Sequence, residues 1–167
     1  MIKYLKKNFI INIFIVLTIF FLDRFSKIFV ISYNEKSLSA DLFSSKFLNI
    51  SLIWNKGVAF GLFSFEQSHL YDFLTILITI VVIVIFFMIL KNDGMKKFSL
   101  LLILGGALGN LYDRIFFRAV PDFIDFHIGN FHWFIFNVSD IFISLGVLFL
   151  IYLELINNQK DEVNEKN

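Results

Sequence analysis

The sequence predicts an all-α integral membrane protein: four transmembrane helices with a small extracytoplasmic β-rich segment between the first and second, forming a single membrane domain over residues 1–167. Three observations predict it. Hydrophobic residues make up 57% of the 167 and the mean hydropathy is +0.75, far above the share of a soluble domain. Four apolar runs are long enough, or extend far enough, to cross a hydrocarbon core of about 30 Å. Residues 32–68, by contrast, are polar and contain short stretches of alternating apolar and polar residues, the pattern of half-buried strands.

Lys3, Lys6 and Lys7 precede an apolar run from Phe9 to Leu22 that superficially resembles a secretory signal peptide, but no small-residue cleavage site follows. A run of about 14 residues is too short to span, so the helix must continue through Asp23-Arg24-Phe25-Ser26-Lys27 into Ile28-Phe29-Val30-Ile31. The first span is therefore about 9–31. Asp23 and Lys27, four apart, share one helix face and can pair. A snorkelling cluster at a helix end and the polar wall of a buried site both fit this stretch. The β-like segment 32–68 is carried by Phe47-Leu48-Asn49-Ile50-Ser51-Leu52-Ile53-Trp54 and ends in Asn55-Lys56-Gly57-Val58-Ala59-Phe60-Gly61, whose glycines mark a turn or a close backbone approach. It lacks the Gly-x-x-x-x-Gly-Lys-Ser/Thr of a nucleotide loop. The second span, 70–90, is strongly apolar and β-branched and carries nothing that suggests chemistry. The third, 98–114, contains Gly105, Gly106, Ala107 and Gly109, small residues that let helices approach closely. The fourth, 136–156, leads into a charged tail, 157–167, expected to be disordered.

A net charge of +1 gives no reason to expect a nucleic-acid partner. The absence of cysteine excludes disulfides, thiolate zinc sites and cysteine nucleophiles. His69, His127 and His132 form no His-Glu-x-x-His pair and read as interfacial or loop residues, so neither a metal nor any other cofactor is expected. The 24 phenylalanines have no functional explanation here. Lysine and arginine are dense in the N-terminal tail and in the loop 91–97, and sparser in the longer segments 32–68 and 115–135, which places both termini in the cytoplasm.

A helical rise of about 1.5 Å per residue allows depths to be compared. Entering near Asn8, the first span carries Asp23 about 22 Å up; entering near Phe98, the third carries Asn110 and Arg114 about 18 to 24 Å up. The fourth starts near Phe136 from the other side, with Asn137 at the boundary and Asp140 about 6 Å inside. Polar residues of three spans thus share one layer in the outer leaflet, and the short loop between the last two spans brings Asp122 within reach. Two carboxylates in a poorly solvated place share a proton, one acting as base toward water and the other as acid toward the carbonyl or the leaving amine. Asp140 is the strongest individual candidate, at the head of an otherwise apolar span. In the loop, Asp122 and Asp125 both remain candidates, while Asp113, directly followed by Arg114, is suited to anchoring a helix end. An ion relay in a small transporter and a lipid-headgroup transferase are the competing classes. The clustering at one depth argues against the first, and the missing Asp-x-x-Asp-Gly pattern against the second.

Set side by side, these stretches resemble the lipoprotein signal peptidases, or signal peptidase II, over nearly the whole chain. The resemblance is carried by Asp23 and Lys27 late in the first helix, Asn55-Lys56-Gly57-Val58-Ala59-Phe60, Gly105 to Arg114, Val120-Pro121-Asp122-Phe123 and Phe136-Asn137-Val138-Ser139-Asp140, in family order. It implies that Asp122 and Asp140 form a catalytic pair, supported by Asp23, Lys27, Asn55, Gly57, Asn110, Arg114 and Asn137. It also implies a diacylglyceryl-modified prolipoprotein as substrate, cut on the N-terminal side of the lipidated cysteine, and a monomeric enzyme among the lipids of a bacterial cytoplasmic (inner) membrane with its site near the outer leaflet. Two positions depart from the family pattern: Pro121 stands where an aliphatic residue is expected, and Ile141 where a small one is common. Pro121 removes a backbone donor and fixes φ, which leaves room for a slightly different setting of the Asp122 loop.

Overall fold

A computed structural model describes residues 2–37, 41–57 and 68–165. Four long helices are joined by two segments that together build one sheet: α1 (Ile2–Lys36), α2 (Ser68–Lys91), α3 (Gly94–Phe117) and α4 (Val138–Glu165), with strands β1 (Asp41–Ser44), β2 (Leu48–Asn55), β3 (Val120–Ile128) and β4 (Phe131–Phe136). All four helices are long and apolar enough to cross a membrane. Each runs past its apolar stretch, because backbone groups in lipid must bond within their own segment and the helical pattern carries on into the flanks until a polar environment relieves it. α1 passes unbroken through Asp23 to Lys27, as the short apolar run requires. α4 also differs from expectation: residues 157–165, expected to be disordered, continue the helix, and this stretch holds neither glycine nor proline to stop it.

α3 is the central helix. It packs against α1, α2 and α4, and 61% of its apolar window is buried, against 11% to 22% in the other three. Glycine makes this approach possible. A Cβ on Gly106 would lie 2.5 Å from the backbone oxygen of Ser139 on α4, and one on Gly109 would meet Ser139 Oγ and, at 2.6 Å, Asp23 Oδ2 on α1. Any side chain at Gly109 would therefore push apart the two helices that bring their polar groups to α3. The apolar part of the interface, with Leu100, Leu101, Leu104 and Leu111 of α3 against Val82 and Ile89 of α2, forms the core below.

The sheet is antiparallel with order β1-β2-β3-β4. The expectation of a β-rich segment between the first two spans holds for β1 and β2, but half of the strands come from the segment between α3 and α4. Asp122, expected in a loop, lies within β3, and Phe136, expected to open the fourth span, closes β4. The β2–β3 register opposes Ile53 to Asp122, Trp54 to Pro121 and Asn55 to Val120. Pro121 is fully buried in the part of β3 that has β2 as its only strand neighbour, since pairing with β4 begins at Ile124. There the missing N–H leaves no gap between two ladders, so the departure from the family pattern is accommodated within a strand. The β3–β4 turn places Gly129 at φ 60°, in the left-handed region that the first central position of a type II′ turn requires.

Candidate active site

Asp122 reaches the helices because β3 starts directly after α3. Its two carboxylate oxygens each accept an amide: Asn55 Nδ2 donates to Oδ2 at 2.8 Å and Asn137 Nδ2 to Oδ1 at 2.6 Å. Asn137 is the N-cap of α4. Its Oδ1 accepts the Asp140 N–H at 3.2 Å while its own N–H donates to Asp140 Oδ2 at 3.1 Å, a reciprocal capping box. The second oxygen of Asp140, Oδ1, accepts Asn110 Nδ2 at 2.8 Å. Asp140 is thus placed by the mechanics of a helix start, where carboxylates are favoured.

Each asparagine is oriented by a partner that can only donate. Lys27 Nζ donates to Asn110 Oδ1 at 2.8 Å, the Gly57 N–H donates to Asn55 Oδ1 at 2.8 Å, and the Asp140 N–H fixes Asn137. All three amide groups therefore turn their NH2 toward a carboxylate. Arg114 Nη2 donates to the Gly57 carbonyl at 2.5 Å, fastening the end of β2 to α3, and the Tyr71 hydroxyl donates to the Arg114 carbonyl at 3.3 Å. The nine residues singled out in the sequence form one connected series: Asp23, Lys27, Asn110, Asp140, Asn137, Asp122, Asn55, Gly57 and Arg114. Of the outer-loop motif, Val58, Ala59 and Phe60 lie outside the described residues.

Behind this series lies a buried ion cluster that the sequence reading recognised only in part. Asp23, Lys27 and Asp113 are 0% exposed. Lys27 Nζ lies 2.9 Å from Asp23 Oδ2 and 2.7 Å from Asp113 Oδ2, while Arg24 bridges the same two carboxylates. Asp23 and Lys27 are buried between the helices rather than snorkelling at a helix end. Asp113 and Arg114, adjacent in sequence, take different partners: Asp113 meets Arg24 and Lys27, and Arg114 the Gly57 carbonyl. A step of about 100° around the helix sends Asp113 toward α1 and Arg114 toward β2. Sequence reading assigned no role to Arg24 or to Ser139, whose N–H donates to Asp23 Oδ1 at 3.0 Å, and placed Asp113 at a helix end rather than in this cluster. Two signals pointed to them: an arginine in the middle of a span requires an anion, and Asp113 lies one turn beyond Asn110 on the same face.

Burial, and after it the nearby charge of Asp140, pushes the Asp122 carboxyl up to about 6; the amides of Asn55 and Asn137 pull the other way. Removing Asn55 should therefore raise it further. A hydrogen bond to a charged group is worth about 1.5–3 kcal/mol and 1.36 kcal/mol is one pH unit, so the limb of a pH–rate profile that reports Asp122 should move up by about one unit in Asn55→Ala. An unmoved or lowered limb in kcat/KM would show that Asn55 does not hold the ionised form.

Asp125 is the loop carboxylate left open by spacing. Three residues from Asp122 along a strand, it points to the other face, where its Oδ2 lies 2.8 Å from His132 Nδ1. Asp125→Asn is expected to keep most activity, because the amide oxygen can still accept from His132; a loss equal to that of Asp122→Asn in initial-rate assays would transfer the role to Asp125.

Helices long and apolar enough to span a membrane that converge on a buried set of carboxylates and amides are the makings of a membrane-embedded aspartic peptidase. The Signal peptidase (SPase) II family model matches residues 15–156. The chain is 52% identical over 161 residues to the lipoprotein signal peptidase of Pelagibacter ubique (strain HTCC1062), covering 96% of each. It is 42% identical over 158 residues to that of Francisella tularensis subsp. novicida (strain U112), covering 92% of this chain and 94% of the relative. Two solved bacterial membrane enzyme structures, each 28% identical, superpose with TM-scores of 0.75 and 0.71; they cover 89% and 86% of this chain, and 90% and 92% of their own. The chain belongs to the signal peptidase II family, and it is an aspartic endopeptidase of that type.

Proposed function

We propose that this enzyme removes the signal peptide from diacylglyceryl-modified prolipoproteins, cutting on the N-terminal side of the lipidated cysteine with Asp122 and Asp140 as the reacting pair. The observation that carries this reading is the arrangement of the two carboxylates. They share Asn137, which donates its amide to one and its backbone N–H to the other. In the reaction one carboxylate takes a proton from water as the oxygen attacks the scissile carbonyl. The other gives its proton to the carbonyl oxygen, and collapse of the tetrahedral adduct breaks the C–N bond as the leaving amine is protonated. A carboxyl that ionises near 6 can hold or release a proton close to neutrality.

The lipoprotein substrate is supported by the names of the relatives, and its lipid modification by the depth of the site. Acyl chains would lie beside the spans while the peptide bond meets the polar layer where the helices end and the sheet begins. With both termini cytoplasmic, that layer lies near the outer leaflet of the cytoplasmic membrane. Transport and headgroup transfer are left without a supporting observation.

The test is a gel-shift assay of a diacylglyceryl-modified prolipoprotein incubated with wild type, Asp122→Asn and Asp140→Asn, with and without a chelator. Cleavage by wild type alone, indifferent to the chelator, is expected. No cleavage by folded wild type, or cleavage abolished by the chelator, would overturn the proposal.

A further inference from the structure

The Lys27 ammonium has three protons and three acceptors: Asp23 Oδ2 at 2.9 Å, Asp113 Oδ2 at 2.7 Å and Asn110 Oδ1 at 2.8 Å. Only the last is itself hydrogen-bonded to Asp140. The other two are carboxylates, and in a buried site a carboxylate attracts an ammonium far more strongly than an amide oxygen does. What balances the competition is a second cation. Arg24 Nη2 donates to Asp113 Oδ2 at 2.6 Å and to Asp23 Oδ2 at 3.0 Å, and its Nη1 lies 2.6 Å from Asp113 Oδ1. The guanidinium carbon stands 4.8 Å from the centre of the Tyr112 ring on α3, which fixes its position. Two cations then face two carboxylates, and the cluster is neutral.

We propose that Arg24 is a positioning residue: by neutralising Asp113 it leaves Lys27 free to orient the Asn110 amide, and through that amide Asp140. Arg24 touches neither Asp122 nor Asp140 and has no place in the reaction itself. Without its charge, Asp23 and Asp113 hold a single ammonium between them. Lys27 is drawn off Asn110, and the Asn110 amide loses the partner that turns its NH2 toward Asp140. Asp23 meanwhile also accepts the Ser139 N–H in the first turn of α4, so a shift of the cluster reaches Asp140 by a second route.

This inference rests on the proposed reaction, and its test uses the same substrate. In Arg24→Gln, kcat should fall about 10- to 100-fold with KM unchanged, the size of effect a misplaced reacting group produces. Arg24→Lys, which restores the charge, should recover most of the loss. Arg24→Gln with Asp113→Asn should recover as well, because the cluster is neutral again and the residue at 113 still offers Lys27 an oxygen. A normal Arg24→Gln beside an active wild type overturns this inference alone. So does an impaired Arg24→Gln that neither change rescues. If Arg24→Gln does not fold, the double variant decides: folded and active supports the inference, folded and inactive overturns it. A wild type that does not cleave overturns the proposed reaction and this inference together.

Discussion

Asp140→Asn should abolish turnover, by about 1,000-fold or more, in a protein that still folds into the membrane. The substitution keeps the size of the side chain and one of its two acceptors. Asp140 Oδ1 accepts Asn110 Nδ2 and Oδ2 accepts the Asn137 N–H, so an asparagine satisfies one of these and sets an NH2 against the other donor. That mismatch costs about 1–3 kcal/mol, within what a folded domain tolerates. The chemistry has no such margin, because an amide can neither accept a proton from water nor give one to a leaving amine at neutral pH. Initial rates on the lipidated substrate, alongside an unfolding curve in detergent, separate the two effects. Normal turnover would remove Asp140 from the reacting pair, and a collapsed unfolding curve would make its role structural.

Lys27→Met carries the largest expected loss of stability. Lys27 is 0% exposed and contacts two carboxylates that are themselves 0% exposed. Breaking a buried pair by removing one partner costs about 3–5 kcal/mol, mostly the penalty of leaving a charge uncompensated. Arg24 remains, so two carboxylates would face one guanidinium. The apparent unfolding temperature should fall sharply, and adding Asp113→Asn should restore part of it by returning the cluster to neutrality. If the single variant melts like wild type, the cluster is not the mutually dependent unit that its burial and distances describe. Buried ion clusters replaced whole by well-packed apolar residues often leave a fold as stable or more so. Retention of this one fits a role in holding Asn110 and the first turn of α4 in place.

The four spans were legible in the sequence because lipid imposes a length and a composition that few other environments demand. A run of about 20 apolar residues has one dominant explanation, and Asp23-Arg24-Phe25-Ser26-Lys27 could be threaded into α1 because the preceding run is too short without it. The nine candidate residues were legible for a related reason: polar groups are costly in such a chain, so those near the ends of spans point toward one another. Small residues at Gly105, Gly106 and Gly109 announced a close helix contact, and the structure shows that contact with Ile19, Asp23 and Ser139.

Tertiary structure alone decided which partners these groups take. The side-chain hydrogen bond from Asn55 on β2 to Asp122 on β3 joins residues 67 apart, and the ion pair of Arg24 with Asp113 joins residues 89 apart. No local periodicity records such pairings. β3 read as a loop because a strand with one neighbour over half its length, a proline and two carboxylates carries little strand signal by itself; its partner strand supplies the missing definition. Which of Asp122 and Asp125 meets Asn137 was likewise open until the alternation of a strand set them on opposite faces. Span, depth and the inventory of polar groups follow from the solvent the chain must live in, and those are properties of the sequence. Which carboxylate meets which amide depends on three helices and a sheet meeting at one point, and the fold determines that.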